Sequence, residues 1–334
     1  MIQINEQNNK EEVLKSYINR FSQAKVLVIG DIIMDEYFWG NVTRISPEAP
    51  VPIVEVTKET RTLGGAANVI HNLATLGSNP IICGIIGEDL PGYEIQNMVE
   101  KIGMTTNGII KEPDRPTSIK TRVVAQSQQV VRFDRESRQD INASSINDLL
   151  DFIGQKLNEI DAIVVSDYGK GVISSTMMKE LRSLVSNSDI IIAVDPKIGN
   201  FKYYHDVHII TPNHHEASSF CGFEITDRDS LMKAGKKMLY ELKCRSVLIT
   251  QGKDGMTLFE NTGEIFHIPT IAKKVYDVTG AGDTVIATIA LGLATGLGLK
   301  SSAVLSNLAA GIVVGEVGTT TISTENLLKV IDQL

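Results

Sequence analysis

The chain has 334 residues, of which 43% are hydrophobic and 22% are charged. This is the composition of an ordinary globular protein, and the length suits one large α/β domain or two small ones. The formal net charge of −8 argues against a general nucleic-acid-binding surface or one that binds anionic membranes.

The cysteines and the apolar segments indicate a cytoplasmic protein. Cys83, Cys221 and Cys244 are far apart and have no CxxC spacing, which is typical of a reducing compartment. The N-terminal segment MIQINEQNNKEEVLKS has no apolar core, so we expect no secretory signal. The longest uncharged run, residues 284–299, is shorter than the ~20 residues that a membrane span needs.

Short aliphatic runs alternate along the chain with segments of helical period. The runs predict parallel strands that are buried on both faces. They cover residues 25–30, 162–166, 190–194, 208–212 and 246–251. Apolar residues recur at helical spacing over 146–157 and again over 177–185. This alternation predicts an α/β fold with a doubly wound, mostly parallel sheet.

Two regions, 36–63 and 106–135, interrupt the alternation and indicate β segments without helices. Within the second, TSIKTRVVAQ and QQVVRFD resemble the two arms of a hairpin. We expect both regions to form a small β lid over one edge of the sheet, and an uncovered lid edge predicts a homodimer. Since the sequence has no internal repeat or linker, it predicts one domain over residues 1–334.

Polar residues follow the predicted strands. They are Asp31, Asp167, Asp195, Asn213 and the segment from Thr250 to Gly252. In an open α/β sheet, ligands bind beyond the carboxyl ends of the strands. Asp and Asn also cap helices, but five such residues at one edge favour a shared site over separate caps.

The stretch DVTGAGDT indicates phosphoryl chemistry of a less common kind. The chain has neither a GxxxxGK[ST] loop nor a GxGxxG turn after a strand. Instead, Gly280, Ala281 and Gly282 precede Asp283 at the start of an apolar helix. Helix-terminal amides hold anions, and transfer to a hydroxyl also needs a base. Asp283 as that base and Asp283 as a helix N-cap are equally supported by this stretch alone.

Four segments together resemble the ribokinase-like carbohydrate kinases of the phosphofructokinase B type. They are GGAANV (64–69), TPNHHE (211–216), LITQGKDG (248–255) and DVTGAGDT (277–284). The resemblance runs from about Lys25 to the end of the chain. It implies a Rossmann-like α/β sandwich with a β lid, and ATP-dependent phosphorylation of a sugar.

Within that family, GDIIMDEYFWG, RISPEAPVPIVEV, QQVVRFDRE, SDYGKG and VDPK resemble the bacterial heptose kinases. This implies phosphorylation of D-glycero-β-D-manno-heptose 7-phosphate at O1, giving the 1,7-bisphosphate, in lipopolysaccharide core synthesis. Many relatives carry a nucleotidyltransferase domain after the kinase. Because this chain stops at Leu334, we expect only the kinase half. The alternatives are a kinase for fructose 6-phosphate, fructose or ribose, and a sugar-binding regulator without chemistry.

The resemblance also implies roles for the matched residues. Asp283 matches the catalytic base, and Gly280, Ala281 and Gly282 match the anion hole. The residues implied for Mg²⁺ and ATP are Asn213, Glu216, Thr250, Gly252, Gly255 and Asn307, with Glu216 acting on Mg²⁺ indirectly. Those implied for the sugar are Asp35, Gly64, Gly65 and Asn68. Asp277 and Thr279 match a monovalent-cation loop that would hold K⁺.

The basic residues for the phosphates are less well defined. Some related kinases place a lysine where this chain has Thr211, so Lys170 or Lys197 is a candidate for that role. Each is equally well explained as a solvated surface lysine. On the lid, Lys120 and Arg122 share one strand face and could bind a substrate phosphate. We favour instead an exposed charged face that blunts an edge strand.

Overall fold

The structure is a computed structural model that describes residues 11–126, 128–272, 275, 277–316 and 320–333. Its strands are β1 (Val26–Ile45), β2 (Pro52–Gly65), β3 (Ile81–Gly87), β4 (Ile109–Glu112), β5 (Ser118–Ala125), β6 (Gln128–Arg135), β7 (Ala162–Ser166), β8 (Ile191–Asp195), β9 (Ile209–Ile210), β10 (Ser246–Thr250), β11 (Met256–Glu260) and β12 (Ile265–Ile268).

The helices alternate with these strands. Helix α1 is described over residues 11–18. The others are α2 (Ala66–Thr75), α3 (Leu90–Lys101), α4 (Ala143–Lys156), α5 (Ser175–Val185), α6 (His214–Cys221), α7 (Arg228–Leu242), α8 (Ala281–Ala294), α9 (Leu299–Val313) and α10 (Thr324–Ile331). Within the described ranges, no helix is long and apolar enough to span a membrane.

The main sheet has the strand order β12-β11-β10-β9-β8-β7-β1-β3-β4. The strands from β10 to β4 are parallel, and β11 and β12 are antiparallel additions at one edge. Helices cover both faces, which explains the continuous apolar runs. In β1, for example, Val26 and Val28 enter one core cluster, and Leu27 and Ile29 enter the other. The predicted doubly wound, mostly parallel sheet is therefore confirmed.

Strand β1 passes from the main sheet into the lid without a break. It pairs with β3 as far as Asp31 and with β2 from Ile32 onward. The lid consists of β1 from Ile32 onward together with β2, β5 and β6. Strands β5 and β6 pair as the expected hairpin. Asp31 therefore lies at the junction of sheet and lid rather than at the end of a strand.

One segment differs from the predicted lid boundaries of 106–135. Strand β4, Ile109–Glu112, pairs parallel with β3 at the edge of the main sheet. Its four residues are too few for alternation to separate a sheet strand from a lid strand. The lid part of this region consequently begins at β5, Ser118–Ala125.

Candidate active site

Asp283 lies in the first turn of α8, below the lid. Gly280 is the N-cap of this helix, with φ of 82°, so the interpretation of Asp283 as an N-cap is wrong. The Asp283 side chain is instead buried, with 3% exposure. Nδ2 of Asn68 donates to its Oδ2 at 2.7 Å, and the hydroxyl of Tyr168 donates to its Oδ1 at 2.8 Å. The carboxylate is therefore held by donors from two other parts of the fold, Asn68 on α2 and Tyr168 after β7.

The environment of Asp283 suits a general base. Burial raises the pKa of its carboxyl to about 6, and the negative charge of Asp35 acts in the same direction. The hydrogen bonds from Asn68 and Tyr168, with the positive charge of Lys120, lower it in part. A carboxylate with a pKa near neutrality binds a proton readily while remaining mostly ionised at pH 7.

A polar cleft of about 170 Å³ lies beside Asp283 at the carboxyl edge of the sheet. Its lining includes Asp195, Lys197, Asn213, Glu216, Thr250 and Gly282. Four of the predicted nucleotide-site residues therefore meet one predicted anion-hole residue in a single cleft. Asp195 and Thr250 end strands β8 and β10, and Asn213 follows β9, as expected for ligand sites in open parallel sheets.

Two carboxylates in this cleft could hold a divalent cation. Burial raises the pKa of Asp195, as do the charges of Asp283 and Glu216, and burial raises the pKa of Glu216. Oγ1 of Thr211 lies 3.5 Å from Asp195 Oδ1, and the positive charge of Lys197 lowers the pKa of Asp195 in part. In the described part of the chain, no group of three or more His, Cys, Asp or Glu side chains is placed to hold a metal ion. A cation here would therefore complete its shell with phosphate oxygens or water.

The start of α6 is held by its own side chains. Asn213 Oδ1 accepts from the backbone of Glu216, and Glu216 Oε2 accepts from the backbone of Asn213, both at 2.9 Å. This reciprocal capping box fixes the helix terminus at the cleft. It also fixes the two side chains that the sequence predicted for Mg²⁺ and the phosphates.

The other predicted nucleotide residues are not in this cleft. Gly252 lines a larger cavity of about 870 Å³ between α7 and the edge strands. At Gly255, φ is +83° and a Cβ would lie 2.1 Å from the carbonyl oxygen of Ile268, so only glycine fits the turn. Asn307 is 5% exposed, and its Nδ2 donates to the carbonyl of Pro269 at 2.9 Å. In this structure Gly255 and Asn307 thus hold the backbone around β12.

The predicted sugar residues converge from β1, β2 and α2. Gly64 leaves room for Asp35, since a Cβ there would lie 2.3 Å from Asp35 Oδ2. Gly65 pairs with Ile32 where β1 enters the lid. Asn68 was expected to contact the sugar, but its side-chain amide donates a hydrogen bond to Asp283, the predicted base.

The expectation of an exposed charged lid face is wrong for Lys120 and Arg122. Arg122 Nη1 forms an ion pair with Asp35 Oδ1 at 2.5 Å, and its side chain is only 12% exposed. Lys120 Nζ lies 4.4 Å from the ring centroid of Tyr168, and burial lowers its pKa. The alternation of side chains along a strand predicted that Lys120 and Arg122 share one face. Only the folded lid shows that this face is directed toward Asp283. Arg132, on the partner arm, pairs with Asp134 and is 45% exposed.

Lys170 and Lys197 have different surroundings. Lys170 is largely buried, and its Nζ forms an ion pair with Glu136 Oε2 at 2.5 Å. Its charge is therefore already compensated within the protein. Lys197 is exposed and lines the cleft with Asp195 and Glu216, which leaves it the better placed of the two for phosphates.

The predicted cation loop is partly described. Asp277 Oδ1 accepts from the backbone of Thr279 at 2.9 Å and from its hydroxyl at 2.7 Å. The two residues therefore form a compact turn before α8. The family resemblance implies that the remaining ligands of this loop lie between residues 311 and 320, and residues 317–319 of that range lie outside the described residues.

This site suits a kinase that phosphorylates a hydroxyl group on a small molecule. Residues 23–326 match the model of the pfkB family carbohydrate kinases. The chain belongs to that family, and the prediction of a carbohydrate kinase is confirmed.

Curated relatives and solved structures agree with this assignment. The chain is 42% identical over 315 residues to the bifunctional protein HldE of Citrifermentans bemidjiense, covering 94% of this chain and 65% of that protein. It is 43% identical over 310 residues to HldE of Desulfatibacillum aliphaticivorans, covering 93% of this chain and 63% of that protein. The chain thus spans slightly less than two thirds of the length of these relatives.

Two solved structures share the fold. Phosphofructokinase-2 from Escherichia coli, in complex with substrates and products, has a TM-score of 0.77 at 17% identity, covering 93% of this chain and 99% of that one. Arabidopsis thaliana ribokinase, complexed with ribose and ATP, has a TM-score of 0.74 at 18% identity, covering 92% of this chain and 98% of that one. The predicted ribokinase-like fold is therefore confirmed.

Proposed function

We propose that this carbohydrate kinase transfers the γ-phosphoryl group of ATP to O1 of D-glycero-β-D-manno-heptose 7-phosphate. The whole chain, residues 1–334, acts as one kinase unit in this proposal. The observation that carries it is the buried Asp283 carboxylate, held by Asn68 and Tyr168 between the lid and the glycine-rich start of α8. The identity of 42% to HldE supports a heptose phosphate as the acceptor.

Asp283 is the base in this mechanism. Its carboxylate accepts the proton of the acceptor hydroxyl as the hydroxyl oxygen bonds to phosphorus and the bond from phosphorus to ADP breaks. The backbone amides at the start of α8 stabilise the negative charge on the moving group. Gly282 suits this role, because no atom lies within 4 Å of the position that its Cβ would take.

The cleft residues fit a magnesium-bound nucleotide. Bound MgATP supplies the phosphoryl group and a cation that offsets phosphate charge. Asp195 and Glu216 offer carboxylate oxygens for the cation, and Lys197 offers a positive charge at the same cleft. Asp277 and Thr279 support a K⁺ site in the turn before α8, where the cation would strengthen the local positive field.

Two lid cations support a phosphorylated sugar over a free sugar. Arg122 and Lys120 lie on the lid face that looks toward Asp283. Arg122 pairs with Asp35 through Nη1, and its guanidinium has further N–H donors for a phosphate. An arginine fork binds phosphate oxygens in pairs, and a lysine adds a point charge. A sugar phosphate lying under the lid would thus present its hydroxyl to Asp283 and its phosphate to β5.

An acceptor panel tests the proposal. ADP release is measured with MgATP and D-glycero-β-D-manno-heptose 7-phosphate, sedoheptulose 7-phosphate, fructose 6-phosphate, fructose or ribose. We expect strong turnover on the heptose phosphate alone. Turnover on another acceptor alone would support a kinase but contradict the heptose phosphate as its substrate. Sugar binding without turnover on any acceptor would instead favour a sugar-binding regulator without chemistry.

The rate should depend on pH through Asp283. Only the ionised carboxylate accepts a proton, and the pKa of this group is raised to about 6. We therefore expect kcat/KM to fall about tenfold per pH unit below about pH 6 and to level off above it. A profile at constant ionic strength measures this, and a rate that stays level down to about pH 5 would contradict the assignment.

We also propose that the lid forms a homodimer. All eight residues of β6 are exposed, and Val131 and Phe133, which share one face of this strand, are 48% and 54% exposed. Exposed apolar side chains on a lid strand favour association with a second copy. Phe133→Glu should therefore give a monomer by sedimentation, whereas Tyr240→Glu, on α7 at 85% exposure, should leave the dimer intact. A wild-type chain that sediments as a monomer at micromolar concentration would refute the lid interface.

A further inference from the structure

Tyr168 contacts the base but belongs to no position that the sequence singled out for catalysis. Its hydroxyl donates to Asp283 Oδ1 at 2.8 Å, while Asn68 Nδ2 donates to Oδ2 at 2.7 Å. We propose that Tyr168 is a positioning residue, which holds the Asp283 carboxylate in the orientation that accepts the proton. This inference rests on the proposed function, because it assigns Tyr168 to the same reaction.

The backbone of Tyr168 is anchored at the junction of sheet and lid. Asp31 is 1% exposed, and its Oδ2 accepts from the N–H of Tyr168 at 2.8 Å and of Lys170 at 3.0 Å. Its Oδ1 accepts from the N–H of Val172 at 3.2 Å. Three hydrogen bonds from one loop to one buried carboxylate fix the path of that loop. The phenol is therefore presented to Asp283 from a rigid support rather than from a free surface loop.

The ring of Tyr168 is also held from the lid. Lys120 Nζ lies 4.4 Å from the ring centroid, which is a favourable distance for a cation over an aromatic face. Burial and the negative charges of Asp283 and Asp195 raise the pKa of Tyr168. Its hydroxyl consequently stays protonated and acts as a donor to the carboxylate.

The two donors define the plane of the base. Each carboxylate oxygen of Asp283 receives one hydrogen bond and keeps a further lone pair. Loss of the phenol hydrogen bond frees the carboxylate to rotate on the Oδ1 side, and misplacement of a reacting group by about 1 Å can cost roughly 10²-fold in rate. A positioning role therefore predicts a loss in kcat with little change in KM.

The same hydrogen bond favours the ionised form of Asp283. The charged groups around this carboxylate come from several elements: Asp35 on β1, Lys120 on β5 and Asp195 at the end of β8. Helix α2 contributes the uncharged amide of Asn68. Because these groups remain in Tyr168→Phe, the pKa of Asp283 should rise only by the loss of the phenol donor, by roughly one unit.

The kinetic test uses Tyr168→Phe in the full chain. We expect kcat to fall roughly 10- to 100-fold, with the KM values for ATP and acceptor unchanged within about threefold. In the pH profile of kcat/KM, the fall in rate at low pH should begin at a higher pH than in the wild type. Tyr204→Phe is the matched control, because Tyr204 is fully buried and donates its hydroxyl to Asp167 rather than to the base. It should lower the melting temperature without changing the pH at which the rate begins to fall.

A second readout does not depend on turnover. Asp283 is titrated by NMR in protein labelled with ¹³C at aspartate Cγ, with Asp283→Asn used to assign its signal. We expect Tyr168→Phe to raise the pKa of Asp283, and Tyr204→Phe to leave it unchanged. An unchanged pKa in Tyr168→Phe, or a changed KM with unchanged kcat, overturns the positioning role even if the wild type is active. A raised pKa in a chain that phosphorylates no acceptor upholds the contact with Asp283 and rejects the proposed reaction.

Discussion

Asp283→Asn should bind MgATP as the wild type does and lose turnover by roughly 10²- to 10⁴-fold, the usual contribution of a general base. The substitution keeps the size of the side chain and removes its ability to take a proton. The surrounding hydrogen bonds can also be kept. Asn68 Nδ2 can still donate to an amide oxygen, and the Tyr168 hydroxyl, now a donor to Asp283 at 2.8 Å, can accept from an amide N–H instead.

Calorimetry for nucleotide binding and ADP release for turnover measure the two parts of this prediction. Asp161→Asn provides a matched control. Asp161 lies just before β7, at the amino ends of the strands and away from the cleft, and its Oδ2 accepts from the backbone N–H of Lys25 at 2.8 Å; an asparagine carbonyl oxygen can accept the same hydrogen bond. The control should retain full turnover. Full activity in Asp283→Asn would remove this residue from the mechanism, and lost nucleotide binding would indicate a wider structural defect.

Much of the fold could be predicted from local patterns. The apolar run at 25–30 predicted the first five residues of β1, because a strand that is covered on both faces is apolar at every position. The lid hairpin of β5 and β6 could be predicted from alternation, and its pairing is observed. The stretch before α8 indicated an anion site, but alone it supported Asp283 equally as a base and as an N-cap, because acids are also favoured at ordinary helix starts.

The contacts that surround the base could not be predicted in the same way. Tyr168 approaches Asp283 across 115 positions of sequence, and its loop is fixed by Asp31, which lies 137 positions before it. Neither the helical nor the strand period predicts a contact between residues that are so far apart in the sequence. The inward direction of Lys120 and Arg122 likewise depends on how the lid folds over the sheet. A strand pattern defines two faces but does not say which one faces a ligand.

The proposed role of the α8 backbone amides in stabilising the transferred phosphoryl group can be tested without removing a charged side chain. Gly282 lines the cleft with Asp195 and Glu216, and no atom lies within 4 Å of the position that its Cβ would take. A side chain at 282 therefore fits the folded protein but fills the space in front of the helix amides.

Gly282→Val should consequently separate stability from activity. A glycine inside a helix costs roughly 0.5–1 kcal/mol relative to alanine, so the free energy of unfolding should be unchanged or higher in the variant. Turnover should fall on the order of 10²-fold, the cost of losing one anion-hole donor. Urea unfolding and ADP release measure the two effects.

Gly154→Ala is the matched control for this substitution. Gly154 lies within α4, and a Cβ there would meet only Leu184 Cδ1, at 3.9 Å. This variant should gain the helix stability and keep full turnover, because α4 packs on the opposite face of the sheet from α8. If Gly282→Val is as active as the wild type, the moving phosphoryl group does not approach these amides, and the anion hole must lie elsewhere along the cleft. A loss confined to Gly282→Val ties catalysis to the helix start that the sequence first marked.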